Sequence, residues 1–257
     1  MTIFPVESNT FDRMAVRIFE SNEKLGQRAA NDLAVLLSQI IDKQGRAAII
    51  LATGNSQLTF FSALRAQKGI SWDKVNVFHM DEYLSMSDRH PASFARFIRE
   101  KLVDFVHPAG FYPIRGDSSD VKSELKRYTN LLREFRPDVC VLGIGENDHL
   151  AFNDPPADFE TKEVIHVVNL DVKCRMQQVG EGHFLTLRDV PKRAITLTVP
   201  ALLAVKNVLA VVPEARKAAA VKAALKGPVT PDCPASILRT QSHVTMYLDR
   251  DSASLLQ

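Results

Sequence analysis

Apolar positions along this chain alternate between two rhythms. Over residues 11–43, Leu25, Ala29, Leu33, Leu36, Leu37 and Ile40 recur at helical spacing and stop before Gly45, which predicts one helix over that span. Ala47 to Ala52 is continuously apolar, reads as a buried strand, and runs straight into Thr53-Gly54-Asn55-Ser56. A helix follows through Leu58, Phe61 and Leu64. Val75 to Met80 predicts a second strand with Asp81 at its C-terminal end, and beyond Pro91 a helix is predicted through Phe94, Phe97 and Leu102. The second half repeats the theme, with a helix over residues 120–135 and a strand from Val139 to Ile144. Further strands are predicted at Ile195 to Val199, Val208 to Val212 and Val244 to Leu248. The Ala- and Lys-rich stretch Glu214 to Leu225 reads as a surface helix.

Continuous apolar strands alternating with helices predict an α/β fold, a mostly parallel sheet with helices on both faces. No repeat, low-complexity tract or linker divides the chain, so residues 1–257 are expected to form a single domain. Ligands of such sheets bind beyond the carboxyl ends of the strands. Three predicted strand ends carry polar clusters: Thr53 to Ser56, Asp81-Glu82-Tyr83 and Gly145 to Asp154.

Composition narrows the function classes. Hydrophobic residues make up 46% and charged residues 24% of the 257, which excludes wholesale disorder. Lys plus Arg number 32 against 30 Asp plus Glu, and no basic run stands out, so nucleic acid is not an expected partner. The three cysteines, Cys140, Cys174 and Cys233, are far apart and suggest neither a disulfide framework nor structural zinc. Met1 to Glu7 does not resemble a leader, and no apolar stretch approaches the roughly 20 residues a bilayer requires. A reduced, cytoplasmic protein without membrane contact is the expectation; its assembly, a homo-oligomer included, stays open.

Each polar cluster admits two readings. Thr53-Gly54-Asn55-Ser56 joins a strand to a helix, so it is either an N-capping turn or an anion site at a helix N-terminus. It lacks the Gly-Lys-Ser/Thr ending of a nucleotide-binding loop. Asp81 and Glu82 point to opposite faces if the strand persists, so one suits catalysis and the other structure, or both form a solvated turn. His149, among Asn147, Asp148, Asn153 and Asp154, suits an imidazole oriented for proton transfer; no second His lies at metal-ligand spacing. Arg175-Met176-Gln177-Gln178 and Arg216-Lys217 offer donors to an anion, and Trp72 reads as packing.

Thr53-Gly54, Met80-Asp81-Glu82-Tyr83 and Gly145-x-x-x-His149-x-Ala151-Phe152-Asn153-x-Pro155, in this order, resemble the glucosamine-6-phosphate deaminase (isomerase) family. The resemblance runs from about residue 30 to 248. The related 6-phosphogluconolactonases share the fold, but they have Asp-Glu-Arg at the first site and a Ser-Leu-Phe-Pro-like ending at the second. The resemblance implies a Rossmann-like fold and conversion of an amino-sugar phosphate to a ketose phosphate with release of ammonia, without metal or organic cofactor. It makes Asp81 the base that moves a proton between C2 and C1. His149 would assist ring opening, held by neighbours that include Asn147 and Asp154. Thr53, Gly54, Asn55 and Ser56, with Lys217 and Arg175, would hold the phosphate.

Several positions depart from that family's pattern. Asp154 stands where Glu is common, Asn147 where some members carry an acid, and Asp148 where Gly is usual. A phosphate-binding Arg of the family aligns near Gln178, which puts Arg175, one helical turn earlier, forward as its substitute. The polar residues that line an effector site in some members are not reproduced in Ala157-Asp158-Phe159. A lactonase-like hydrolase and a non-catalytic sugar-phosphate sensor are the alternative readings.

Overall fold

The N-terminal segment departs from the helical expectation. In this computed structural model, which describes residues 3–256, Glu7–Phe11 form strand β1 and Met14–Phe19 form β2. Met1 and Thr2, at the head of the segment read as lacking a leader, lie outside the described residues, as does Gln257. The two strands make an antiparallel hairpin turned at Asp12, whose φ is 48°. Met14, Val16 and Ile18 are buried while Ala15 and Arg17 between them are half-buried. That period of two is a strand signal, and a helical reading over 11–43 overruns it. Helix α1 begins only at Asn22 and spans Asn22–Gln44. Ser21 caps it by accepting from the Lys24 N–H.

The remaining elements follow in the order β3 (Ala47–Leu51), α2 (Leu58–Arg65), β4 (Val75–His79), β5 (Asp81–Tyr83), α3 (Phe94–Ile98) and α4 (Asp104–Val106). Then come β6 (Gly110–Tyr112), α5 (Val121–Phe135), β7 (Val139–Leu142), β8 (Ile165–Asn169), α6 (Val172–Gly180) and β9 (Arg193–Leu197). Helix α7 (Val199–Leu203), β10 (Asn207–Val212), α8 (Ala218–Lys226) and β11 (Val244–Asp249) complete the chain.

Eight strands form one sheet in the order β1-β2-β11-β10-β7-β3-β4-β6, parallel throughout except for the β1–β2 edge. From β3 the chain steps outward to β4 and β6; from β7 it steps the other way, to β10 and β11. The winding direction reverses between β3 and β7, and the crevice beyond such a reversal is where ligands of open α/β sheets bind. Both faces are covered. Ala48 and Ile50 of β3 enter one core with Phe78, Leu142 and Met246, while Ile49 and Leu51 enter the other with Leu33, Phe61 and Val141. Strand alternation alone sends neighbouring side chains to opposite layers.

Three expectations need correction. The strand anticipated over Ile195 to Val199 is β9, which joins β5 and β8 in a separate three-stranded antiparallel sheet. It ends at Leu197 because Thr198 caps α7, accepting from the Ala201 N–H, with Pro200 in the first turn. The strand at Val139 stops at Leu142. The segment from Glu214 is not a surface helix throughout: Lys217, Ala220, Val221, Ala224 and Leu225 are buried. Among the described residues, no helix is long and apolar enough to cross a membrane.

Candidate active site

Four strand ends of the main sheet converge on one narrow cleft. The turn after β3 brings Thr53, Gly54 and Ser56; the step from β4 to β5 brings Asp81; the loop after β7 brings His149; and the turn after β10 brings Lys217. Helix α6 closes the cleft with Gln177 and Gln178, and Glu181 follows it. Phe94 and Phe152, stacked with centroids 5.4 Å apart, supply an apolar wall.

Asp81 and Glu82 are both buried but do different things. Asp81 faces the cleft, and burial, reinforced by the Glu82 charge, holds its carboxyl well above the usual range. Glu82 turns toward the start of α3, where it accepts from the Ser93 hydroxyl at 2.7 Å and the Ala95 N–H at 2.9 Å. The Phe94 and Tyr83 N–H groups complete the set at 3.2 and 3.0 Å. Burial pushes the Glu82 carboxyl up to about 7, even against these donors.

His149 is oriented by two neighbours. Its Nδ1 lies 2.5 Å from Asn147 Oδ1 and 3.3 Å from Asp154 Oδ1, while Asn147 Nδ2 donates to the same Asp154 oxygen at 3.0 Å. The other Asp154 oxygen accepts from the Asp171 N–H at 2.8 Å. Burial would raise the Asp154 carboxyl, but the His149, Asn147 and Asp171 donors outweigh it and hold the group below its ordinary range. With Nδ1 committed, Nε2 is the ring nitrogen left to a ligand. The ring packs over Gly145, where an added Cβ would lie 2.2 Å from its carbon Cε1. Any larger residue would expel the imidazole. Asp148 makes no hydrogen bond to the ring; its φ is 68°, and its backbone carbonyl accepts from Ala235.

The anion-binding candidates divide. Lys217 is 2% exposed, and burial, with the adjacent Arg216 charge, lowers its ammonium to about 8. Asn55 belongs to the turn, but its side chain donates to the Glu181 carbonyl at 3.0 Å rather than lining the cleft. Arg175 corrects an expectation: it is not in the cleft. Its guanidinium donates to the carbonyls of Val190, at 2.9 Å, and Leu187. Gln178 does line the cleft, accepting from the Tyr83 hydroxyl at 2.9 Å.

Sequence reasoning gave no place here to Glu181 or Cys174. A glutamate between two glycines carries no motif, and only its pairing with Arg216, 2.6 Å away, reveals it. His149, Asp154 and Cys174 bring a ring nitrogen, a carboxylate oxygen and a sulfur within 4.8 Å of one another. These donors suit a borderline-soft divalent ion in kind. Two of them, however, are already engaged in the Asn147 and Asp171 hydrogen bonds, and burial raises the Cys174 thiol far from its thiolate.

The family model described as glucosamine-6-phosphate isomerases/6-phosphogluconolactonase matches residues 20–247. The chain belongs to this family. Within it, a glucosamine-6-phosphate deaminase of Exiguobacterium sibiricum is 36% identical over 234 residues, 91% of each chain. That of Bacillus cytotoxicus is 31% identical over 242 residues, 94% of this chain and 89% of its own. A solved monomeric glucosamine-6-phosphate deaminase superposes with a TM-score of 0.84 at 29% identity, covering 93% of this chain and 99% of that one. A 6-phosphogluconolactonase from Shewanella baltica superposes with a TM-score of 0.76 at 21% identity, covering 94% and 99%, and shares the fold.

Proposed function

We propose that the protein is a glucosamine-6-phosphate deaminase. It converts an amino-sugar 6-phosphate and water to a ketose 6-phosphate and ammonia, a C–N hydrolysis built on an aldose–ketose isomerisation. The observation that carries this reading is the shared cleft, on which Asp81, His149, Lys217 and the Thr53–Ser56 turn all open. Likeness to deaminases at 31–36% identity over most of the chain supports it.

In this reading the turn and Lys217 hold the phosphate and so fix the distance to the sugar's far end. His149 offers Nε2 to the ring oxygen and assists opening. Asp81, as carboxylate, takes the proton from C2 and returns it at C1, which leaves an imine at C2. Water adds to that carbon, ammonia departs with the nitrogen, and the C2 carbonyl of the ketose remains. Glu82 keeps the α3 end of the cleft in place. We place the reaction in the cytoplasm, consistent with three unpaired cysteines.

The test is incubation with glucosamine 6-phosphate and, separately, galactosamine 6-phosphate, with ammonia and ketose phosphate measured in the same reaction. Equimolar ammonia and ketose phosphate from the gluco substrate are expected. Hydrolysis of 6-phosphogluconolactone without ammonia from either amino sugar would replace this reading with the lactonase one.

A further inference from the structure

Beside the groups just assigned lies a charge cluster that the reaction does not use. Glu181 follows α6, and its carboxylate reaches the Thr53–Ser56 turn: Oε2 is 3.4 Å from the Asn55 backbone nitrogen and 3.5 Å from where a Cβ on Gly54 would stand. Its other oxygen accepts from Arg216 Nη1 at 2.6 Å and Gln177 Nε2 at 2.8 Å, and His183 Nε2 stands 3.3 Å from Oε2. Only 6% of the Glu181 side chain is exposed. A carboxylate thus sits on donors that suit a phosphate.

Arg216 belongs to the same turn of chain as Lys217, Ala215–Lys217. Its Nε donates to Glu214 at 2.5 Å, and Nη1 is shared between Glu181 and Glu146, the latter at 3.0 Å. Three carboxylates around one guanidinium leave a local excess of negative charge. A phosphate dianion cannot join Glu181 there without strong repulsion at short range.

Two routes relieve that conflict: protonation of Glu181 or its departure. Burial alone would raise its carboxyl, but the His183, Arg216 and Gln177 donors outweigh burial and drive it well below the usual carboxylate range. Glu181 therefore stays charged at neutral pH, and departure is the route left. The local sequence permits it. Glu181 stands between Gly180 and Gly182, and Gly182 has φ 80°, a conformation other residues rarely adopt. The narrowness of the cleft favours it as well. The cleft's free volume is about 60 Å³, far below the several hundred Å³ of ordinary small-molecule pockets, and Glu181 is part of its wall.

We infer that Arg216 is a phosphate-binding residue and that Glu181 is its built-in counter-ion, exchanged for the phosphate of the incoming sugar. This rests on the reading that the cleft takes a sugar phosphate. Lys217 supplies one positive charge for a dianion, and Arg216 supplies the second. The guanidinium trades one oxyanion for another and stays paired throughout, so the cation is never exposed without a partner.

Titration calorimetry with inorganic phosphate tests the exchange, with thermal melting of each variant as a check on folding. Glu181→Gln keeps the shape and removes the competing charge, so phosphate should bind about tenfold more tightly. Arg216→Gln should weaken binding by about tenfold or more, and Arg216→Lys should recover part of the loss. An unchanged or weakened phosphate affinity in Glu181→Gln overturns the exchange, as does wild-type affinity in Arg216→Gln. Ammonia release, measured on the same preparations, reports separately. If phosphate affinities shift as expected in a protein that yields no ammonia, only the deaminase reading fails. If a working deaminase is indifferent to both variants, only the exchange fails.

Discussion

Asn147 Oδ1 lies 2.5 Å from His149 Nδ1, and the nitrogen of the same amide donates to Asp154 at 3.0 Å. The amide relays between ring and carboxylate, fixing both the ring plane and which nitrogen carries the proton. Removing the amide frees the ring without emptying the cleft. Asn147→Ala should lower kcat by roughly 10- to 100-fold with KM little changed, a positioning effect smaller than loss of an acid–base group. Nitrogen chemical shifts of His149 should show a single tautomer in the wild type and a mixture in the variant. Asp154 adds a stability signature. Its folded-state carboxyl lies below the ordinary range, so its contribution is present above the unfolded value of about 3.9 and lost as pH falls through the lower folded value. Between pH 6 and pH 3 the wild type should lose more stability to acid than Asp154→Asn.

The parallel core was legible in the sequence because Ala47 to Ala52 and Val208 to Val212 are apolar without interruption, which only a strand covered on both faces requires. The Met14-Val16-Ile18 alternation was equally present but was masked by the long periodic helix behind it. The convergence of Asp81 and His149 followed from their places at strand ends, whereas Lys217 was reached only through the family resemblance. Arg175 did not, because helix spacing says nothing of the loop whose Leu187 and Val190 carbonyls capture its guanidinium. Glu181 was invisible for a related reason: its partner Arg216 lies across the fold on a different turn.

Glu82 offers a second test, of stability rather than rate. Its carboxylate gathers four donors at the start of α3, and Glu82→Gln turns an amide N–H₂ toward some of them. A loss of about 1–3 kcal/mol is expected. The pH dependence has a definite sign. A carboxyl raised to about 7 in the folded state, against 4.5 otherwise, contributes stability that is full below pH 4.5 and lost as pH rises through 7. The wild type should therefore exceed Glu82→Gln by more at pH 5 than at pH 8, measured by denaturant unfolding. A gap that widens toward pH 8 would reverse this account of the burial.

Lys217 predicts how substrate binding responds to alkali. Burial lowers its ammonium to about 8, so the cation that would pair with phosphate is lost across the range where most lysines keep their charge. KM for the sugar phosphate should rise above pH 8 in the wild type, since the dianion favours the protonated amine and binds less well once that proton is lost. Lys217→Met should raise KM at pH 7 and flatten that rise. A KM unchanged by the substitution would remove Lys217 from the phosphate site.

Asp81 carries the chemistry in the proposed reaction, and its environment sets the form of its pH profile. Burial, with the Glu82 charge beside it, holds the carboxyl well above the ordinary aspartate range. As a base it must first lose its proton, so kcat/KM should rise with pH along an acidic limb displaced upward from about 4, the value of a solvated aspartate. A higher proton affinity also makes the carboxylate a stronger base toward C2, so desolvation favours the step while narrowing the pH range in which it runs. Asp81→Asn preserves shape and removes the base; turnover should fall by on the order of 10²-fold or more, with phosphate affinity kept. Exchange of the C2 hydrogen with solvent should fall in parallel, because it reports the same proton transfer. Near-native turnover in Asp81→Asn together with an inactive Glu82→Gln would exchange the two roles, and full activity in both would end the base assignment at this strand.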